Sequence, residues 1–332
     1  MALSKLSGDE QGILFVQLCN VLDPGVAVAL SSVNNELRTA TRAPLQQLKT
    51  GHEAAAALCR KLGHRNCKAL REAKVVESVY NSLTADELKL LGTLGSVLPA
   101  LKELWLEEPA AGPDGVQQLA EGLGAGALPA VTHLWLSRMH VGDAGASALA
   151  AALGRGALPR LNQLSLGDTA LCDAGLVALA PALRRRPALE RLELYSNPFG
   201  DEGLAALVAP PPADAPPPQA EVLAQLRWLN LDGSQITDDG CAHLASRLRS
   251  GALPALFGLY LHDIPASDAA KAAVYEWRAS LKDEVSELEH EESGSEEEES
   301  ESSEEKVEKH HSQPPDSPSS DESNSDIDAH DL

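Results

Sequence analysis

Residues 128–138, LPAVTHLWLSR, repeat the pattern of residues 98–108, LPALKELWLEE, thirty positions earlier in the chain. In each stretch leucines alternate with other residues, and a tryptophan, Trp105 or Trp135, lies between two of the leucines. Because successive side chains of a strand point to opposite faces, this alternation predicts a short β-strand with one buried face. If the leucines face a core, both tryptophans lie on the other face of a sheet.

Six segments of the chain share this pattern at spacings of 28 to 37 residues. Each has apolar residues three and five positions after its start, and the segments begin at Leu101, Val131, Leu161, Leu189, Leu226 and Leu256. Twelve positions after the start, four of them carry an aspartate: Asp143, Asp173, Asp201 and Asp238. Aspartate ahead of apolar residues at helical spacing predicts a helix that this aspartate caps. A strand and a capped helix bury their apolar faces only by stacking, which predicts a solenoid.

The order L-x-x-L-x-L, then D-x-G, then L-A-x-x-L resembles the leucine-rich repeats of the ribonuclease-inhibitor type, over residues 98–281. The resemblance implies an α/β solenoid, a horseshoe with parallel strands on its concave face and helices outside. The family's asparagine after the strand is present only as Asn197. We therefore expect a looser turn in the other repeats, where the residues are Pro109, Met139, Thr169, Ser234 and Ile264.

Side chains between the buried leucines are predicted to form the concave face. Its aromatic members are Trp105, Trp135, Tyr195, Trp228 and Tyr260. Its charged and polar members include Glu103, Glu107, His133, Arg191, Glu193 and Asp232. Exposed aromatic rings surrounded by polar groups are typical of protein-binding hot spots, so these residues are the candidate site for a protein ligand. Alternatively, the tryptophans only cover the sheet or pack beneath the N-terminal domain.

Residues 1–43 are predicted to form a helical segment. The span from Leu22-Asp23-Pro24 to Leu37 resembles an F-box, with Leu37 in place of the usual tryptophan and no opening Leu-Pro. The resemblance implies binding to the Skp-type adaptor of a ubiquitin ligase through Leu22, Pro24, Leu30, Val33 and Leu37. A plain helical cap for the solenoid explains the same residues equally well.

Residues 44–97 are predicted to be a helical linker or N-terminal cap. They contain two histidines and two cysteines, which are zinc ligands in other proteins: His52, Cys59, His64 and Cys67. These lack the C-x-x-C spacing of a zinc knuckle, and Cys59 follows an alanine-rich apolar run, so we predict core thiols and no metal. The total of five cysteines, an odd number, favours reduced thiols.

Two irregularities frame the predicted solenoid. The longest spacing contains a proline-rich stretch at 209–220, APPPADAPPPQA, which is predicted to be a loop on the helical side. The last segment ends in AVYEWRASL, residues 273–281, and is interpreted as a capping repeat with Trp277 buried.

Residues 282–332 are predicted to be a disordered acidic tail. They contain twenty Asp and Glu side chains and carry most of the net charge of −22, but few large aliphatic residues. Acidic residues follow several serines, which resembles the substrates of casein-type kinases, and Ser317 precedes a proline. The candidate phosphorylation sites are Ser295, Ser302, Ser317, Ser319 and Ser325. We predict that the tail binds basic proteins.

Several functions are disfavoured by the sequence. It contains no G-x-x-x-x-G-K loop, no G-x-S-x-G elbow and no H-E-x-x-H pair, so an enzyme or a cofactor is not expected. The charge of −22 disfavours nucleic acid, and the run Arg184–Arg186 is interpreted as a solvated helix end. No stretch is long enough for a membrane span and none has the flanks of a signal peptide, so we expect a cytoplasmic or nuclear protein. We also predict that it is a monomer.

Three functional hypotheses follow. The first is a non-catalytic protein that binds a protein ligand on the concave face. The second makes the same face the substrate receptor of an SCF ubiquitin ligase, with the F-box-like segment on the adaptor. The third rests on a resemblance of the solenoid and acidic tail to Ran GTPase-activating proteins, although no arginine of this sequence is assigned to their catalytic role.

Overall fold

The computed structural model describes residues 20–33, 35–210 and 223–276. All of these belong to one compact unit, Met1–Lys282, and a second unit spans Asp283–Leu332. The predicted tail with its serines, Trp277, and all but the first two residues of the proline-rich stretch 209–220 lie outside the described residues, so the predictions made for them stay predictions.

The described chain alternates helices and strands. The strands are β1 (Val75–Val79), β2 (Glu103–Glu107), β3 (His133–Trp135), β4 (Gln163–Ser165), β5 (Arg191–Glu193), β6 (Trp228–Asn230) and β7 (Gly258–Tyr260). The helices are α1 (Gly25–Ser31), α2 (Asn35–Ala40), α3 (Arg42–Lys61), α4 (Cys67–Glu72), α5 (Ala85–Leu94), α6 (Gly115–Gly122), α7 (Gly142–Gly154), α8 (Asp173–Arg184), α9 (Asp201–Leu207) and α10 (Asp238–Arg249). Short 3₁₀ turns follow α5 and β2 at Gly95–Val97 and Pro109–Ala111.

The seven strands form one parallel sheet in chain order, each strand pairing with the next. The register places leucines of successive repeats side by side, beginning with Leu104 beside Leu134 and Leu134 beside Leu164. A continuous core runs between sheet and helices from Leu22 to Val274. The predicted solenoid fold is therefore confirmed.

Strand β1 corrects the prediction that residues 44–97 are helical throughout. Val75–Val79 pairs in parallel with β2 and adds a seventh strand before the six that were predicted. The alternation of this strand is weak in the sequence because its second buried position is a serine. Ser78 is fully buried, and its Oγ donates to Glu108 Oε1 at 2.7 Å. A capping box formed by Thr84 and Glu87 then begins helix α5.

The prediction that the repeated aspartates cap their own helices is wrong. Asp143 lies in the first turn of α7, but its Oδ1 accepts hydrogen bonds from the backbone N–H groups of Cys172 and Gly175, at 3.1 and 2.9 Å, in the next repeat. Asp173 and Asp201 form the same kind of link, to the starts of α9 and α10. The first-turn N–H groups of a helix have no intrahelical acceptor, and stacking brings the preceding repeat's carboxylate to them.

Arginines connect the other ends of the helices. Arg186 donates to the carbonyls of Leu153, Leu158 and Ala157 at the C-terminus of α7, and Arg184 donates to the carbonyl of Ala209. The last carbonyls of a helix lack intrahelical donors, so these guanidinium groups satisfy them. The interpretation of Arg184–Arg186 as a solvated helix end is therefore wrong for Arg184 and Arg186.

Two different side chains stabilise the turns after the strands. The Asn197 amide accepts from the backbone N–H groups of Thr169 and Leu171, both at 3.0 Å, and donates to carbonyls of its own and the preceding repeat. Where Pro109 replaces asparagine, the neighbouring Glu108 accepts from the backbone of Asn81 and Leu83. In this turn Glu108 therefore serves as the hydrogen-bond acceptor in place of the missing asparagine.

Candidate protein-binding site

The candidate site lies on the face of the sheet opposite the helices, the concave face of the predicted horseshoe. We define the concave face as three alternate positions in each repeat, which lie in the strand or directly after it. They run from Val75, Glu77 and Val79 of β1 to Gly258 and Tyr260 of β7 and His262 after it. Trp105 is 37% exposed and Tyr260 is 38% exposed. Trp135, Tyr195 and Trp228 are partly covered by their neighbours.

Three rings stack in a row at the first strands of this face. The register sets Trp105 beside Trp135, and their ring centroids are 3.7 Å apart with an interplanar angle of 24°. The His133 ring lies nearly parallel to Trp135, with centroids 5.2 Å apart. Trp105 Nε1 also donates to Glu103 Oε2 at 3.2 Å. Stacked aromatic pairs contribute about 0.5–1.5 kcal/mol beyond the area they bury, so this row is held in place before any ligand binds.

Two glycines position the other large rings. A Cβ added at Gly167 would overlap the ring of Tyr195, and one added at Gly258 would overlap the ring of Trp228. Each ring therefore lies flat on the backbone of a neighbouring strand. The guanidinium of Arg191 lies 5.0 Å from the Trp228 ring centroid, which is a cation–π distance. Tyr195 and Trp228 are thus fixed by the protein and offer less free surface than was expected.

Several charges of the face already have partners. Arg138 Nη1 and Tyr80 Oη both donate to Glu107 Oε1, at 2.7 and 2.8 Å. The bond from Arg138 lowers the pKa of Glu107, and the carboxylate raises the pKa of Tyr80. The other pairs are Arg191 with Glu193 at 3.3 Å and His262 with Asp232 at 3.1 Å.

A pocket of about 340 Å³ opens next to the stacked rings. Its small floor residue, Ser165, is 4% exposed and shares a 2.8 Å hydrogen bond with Ser137. Trp135, which the register sets beside Ser165, and Tyr195 also line the pocket. The pocket exists because β4 carries small residues between two strands with large ones, a contrast that the residue types of the aligned segments could have revealed.

The structure places the predicted adaptor-binding residues in different environments. Leu22 is only 4% exposed and belongs to the main core, whereas Leu30 packs against the smaller cluster of Ala27 and Leu48. Pro24 is partly exposed and Val33 is 68% exposed. The side chain of Leu37 lies outside the described residues. Of the predicted residues whose side chains are described, Leu22 and Leu30 pack against other residues of the protein, whereas Val33 faces solvent.

Two cysteines and one histidine of helices α3 and α4, namely Cys59, Cys67 and His52, lie close together. Cys59 and Cys67 are buried, with their sulfurs 3.7 Å apart, and burial raises the pKa of Cys59 to about 12. His52 Nδ1 is 2.7 Å from the carbonyl oxygen of Val21. In the described ranges, no three His, Cys, Asp or Glu side chains are arranged to hold a metal ion.

Comparisons with known proteins agree with the repeat pattern. A family model described as "Leucine Rich repeat" matches residues 187–208, which contain β5 and α9. Among curated proteins, no sequence matches the chain significantly. The strand order and this match define the class of fold: the described chain from β1 onward is a leucine-rich repeat solenoid. The matching model describes a repeat and indicates no enzymatic family.

Solved structures that are partly similar to this chain include the following two. Actin-binding site 2 of leiomodin-1 is 17% identical, with a TM-score of 0.34, and the match covers 45% of this chain and 80% of that one. Internalin C2 from Listeria monocytogenes is 20% identical, with a TM-score of 0.38, over 65% of this chain and 84% of that one.

Within the described residues, no helix is both long and apolar enough to cross a membrane.

Proposed function

We propose that this protein is a non-catalytic interaction protein whose concave face binds a protein partner around Trp105 and Trp135. The observation that carries the proposal is the stacked, partly exposed tryptophan pair beside an open pocket. Tryptophan is enriched among the residues that dominate binding energy at protein interfaces. A pair that is already ordered loses little side-chain entropy on binding, which favours its use as an anchor.

The size of the face supports a protein ligand. Seven strands about 4.8 Å apart make a platform about 29 Å wide, which accommodates a compact partner or an extended segment. The alternative that the tryptophans pack beneath the N-terminal domain is opposed by the 37% exposure of Trp105, since the described helices α1 to α4 leave its ring accessible.

Affinity purification from the protein's own cells tests the proposal. We compare the full chain with Trp105→Ala/Trp135→Ala and with Val177→Ala, a control on helix α8 whose exposure is also 37%. A partner of the concave face is expected to be retained by the control and lost from the double variant. If every partner stays bound to a folded double variant, the proposed site is wrong.

The second candidate function is an adaptor-bound substrate receptor of a ubiquitin ligase. It is supported by three exposed valines in the F-box-like segment: Val26 at 52%, Val28 at 46% and Val33 at 68%. Binding of a purified Skp-type adaptor to the full chain, and its loss in Val28→Asp/Val33→Asp, is the expected result. An adaptor that does not bind the wild-type chain eliminates this function.

The third alternative, a Ran GTPase-activating role, gains no support from the arginines of the concave face and its margin. Arg138 is paired with Glu107, and Arg191 is paired with Glu193.

We further propose that the acidic segment 282–332 attracts basic proteins and that the protein acts in the cytoplasm or nucleus. Its composition supports the first of these, and deleting residues 283–332 tests it, since basic partners should then be lost.

A further inference from the structure

The concave face is more acidic than the rest of the unit that contains it. Its strand positions hold one arginine, Arg191, and five carboxylates, on Glu77, Glu103, Glu107, Glu193 and Asp232. The excess of four negative charges equals the excess of residues 1–282 as a whole, which contain 29 Asp and Glu and 25 Lys and Arg. The other residues of 1–282 therefore balance in charge, with 24 Asp and Glu against 24 Lys and Arg.

Two carboxylates with no ion-pair partner among the described residues, those of Glu77 and Glu103, lie together at the β1–β2 end. Asp232, near the other end of the sheet, pairs with His262, which is charged only when protonated. Glu107 and Glu193 are neutralised by the arginines described above. The side chain of Glu77 is exposed and makes no hydrogen bond or ion pair with any described residue. Among the described residues, the Glu103 carboxylate accepts a hydrogen bond only from the Trp105 indole N–H. The sheet register sets Glu77 directly beside Trp105. Two uncompensated negative charges thus border the most exposed ring of the stack.

This combination matches the chemistry of a long basic side chain. A lysine ammonium or arginine guanidinium is attracted both to carboxylates and to the face of an indole ring. The aliphatic stem of either residue packs on apolar surface while its charged end stays near solvent. Neighbouring strands are about 4.8 Å apart, so a single cation beside Trp105 lies within reach of carboxylates on both β1 and β2.

The adjoining pocket provides room for a second side chain. Its walls include Trp105 and Trp135, and its opening continues from the stacked rings across β4 to Tyr195. An extended segment that places one side chain against Trp105 can direct another into this pocket, since alternate residues of an extended chain project to the same side.

We propose that the β1–β3 end of the concave face binds a lysine- and arginine-rich segment of the protein partner. The inference rests on the proposed function and specifies the partner's chemistry: an extended basic segment, with the cationic groups at Glu77 and Glu103 and their stems on the Trp105 ring.

Fluorine NMR of the full chain labelled with 5-fluorotryptophan tests this inference. The probes are an octalysine peptide and an octaglutamate peptide, and Trp→Phe variants assign the four tryptophan signals. Octalysine is expected to shift the Trp105 and Trp135 signals in a saturable way and to leave Trp228 unchanged. Because each signal reports one ring, binding of octalysine to the acidic segment 283–332 is distinguished from binding to the face.

Two matched variants measure the contribution of the carboxylates. Glu77→Gln/Glu103→Gln is expected to weaken the octalysine Kd read from Trp105 by about threefold or more, from the strength of exposed ion pairs. The control Glu202→Gln/Asp239→Asn also removes two negative charges, but from the first turns of α9 and α10, and it should leave the octalysine Kd unchanged.

The inference is overturned if octalysine leaves the Trp105 and Trp135 signals in place, if both double variants bind alike, or if octaglutamate shifts the signals instead. These outcomes are separable from failure of the proposed function. Partners lost from Trp105→Ala/Trp135→Ala without an octalysine response would keep the concave site and reject a basic ligand. An octalysine response with every partner retained would reject the proposed function.

Discussion

Replacing Asp173 by alanine should weaken the link between two successive repeats. Asp173 Oδ1 accepts from the backbone N–H groups of Gly200 at 2.8 Å and Gly203 at 2.7 Å, at the start of α9. Loss of a helix-capping acceptor costs about 0.5–2 kcal/mol, and here one charged acceptor serves two partly buried donors, so we expect about 2 kcal/mol. For a unit of this size that corresponds to a decrease in Tm of about 4–8 °C, measured by calorimetry.

Two further variants separate capping from loss of charge. Asp173→Asn keeps an acceptor oxygen and should recover most of the stability. Asp239→Ala removes an exposed first-turn carboxylate that has no hydrogen bond to a neighbouring repeat among the described residues, and it should cost about 0.5 kcal/mol through the helix dipole alone. If Asp173→Ala is no more destabilising than Asp239→Ala in urea unfolding, the cross-repeat cap contributes nothing.

A double-mutant cycle with Gly203 sharpens the test. An added Cβ at Gly203 would lie 2.9 Å from Asp173 Oδ1, so Gly203→Ala should destabilise the protein by crowding that carboxylate. Removing the carboxylate as well relieves this contact, so the double variant should lose less free energy of unfolding than the sum of the two single variants. Strict additivity would refute the idea that these two positions depend on each other.

Two more predictions concern the concave face. Gly258→Ala should displace the Trp228 ring and red-shift tryptophan fluorescence, whereas alanine at Gly154, where nothing lies within 4 Å, should not; equal spectra would contradict the contact. Glu107→Gln should destabilise the protein near neutral pH, because Arg138 lowers the pKa of Glu107 and the ionised form stabilises the fold above its ordinary pKa. That difference should fade as the pH falls through the lowered pKa, so an equal loss at about pH 7 and about pH 3 in urea unfolding would contradict it.

The positions of six strands could be predicted because their pattern is local. Two leucines separated by one residue define a buried face within a single strand, and repetition at nearly constant spacing excludes coincidence. The same alternation placed Trp105 and Trp135 on the opposite face, where the structure has them. Strand β1 was not predicted, because one of its two buried positions is a serine and not an apolar residue. Ser78 can be buried since Glu108, thirty residues away, accepts its hydrogen bond.

The stacking of repeats decides what periodicity leaves open. An aspartate before a helical pattern has two sets of donors within reach once repeats stack. The next repeat's backbone N–H groups are the ones that donate to Asp143 and Asp173. The same holds for the pocket and the fixed rings, since Tyr195 is held by a glycine on the neighbouring strand. Alternation along a strand depends only on local backbone geometry, so it can be recognised in the sequence. Contacts between repeats join residues about thirty positions apart. They depend on the register and spacing of the strands, which are set only when the solenoid assembles.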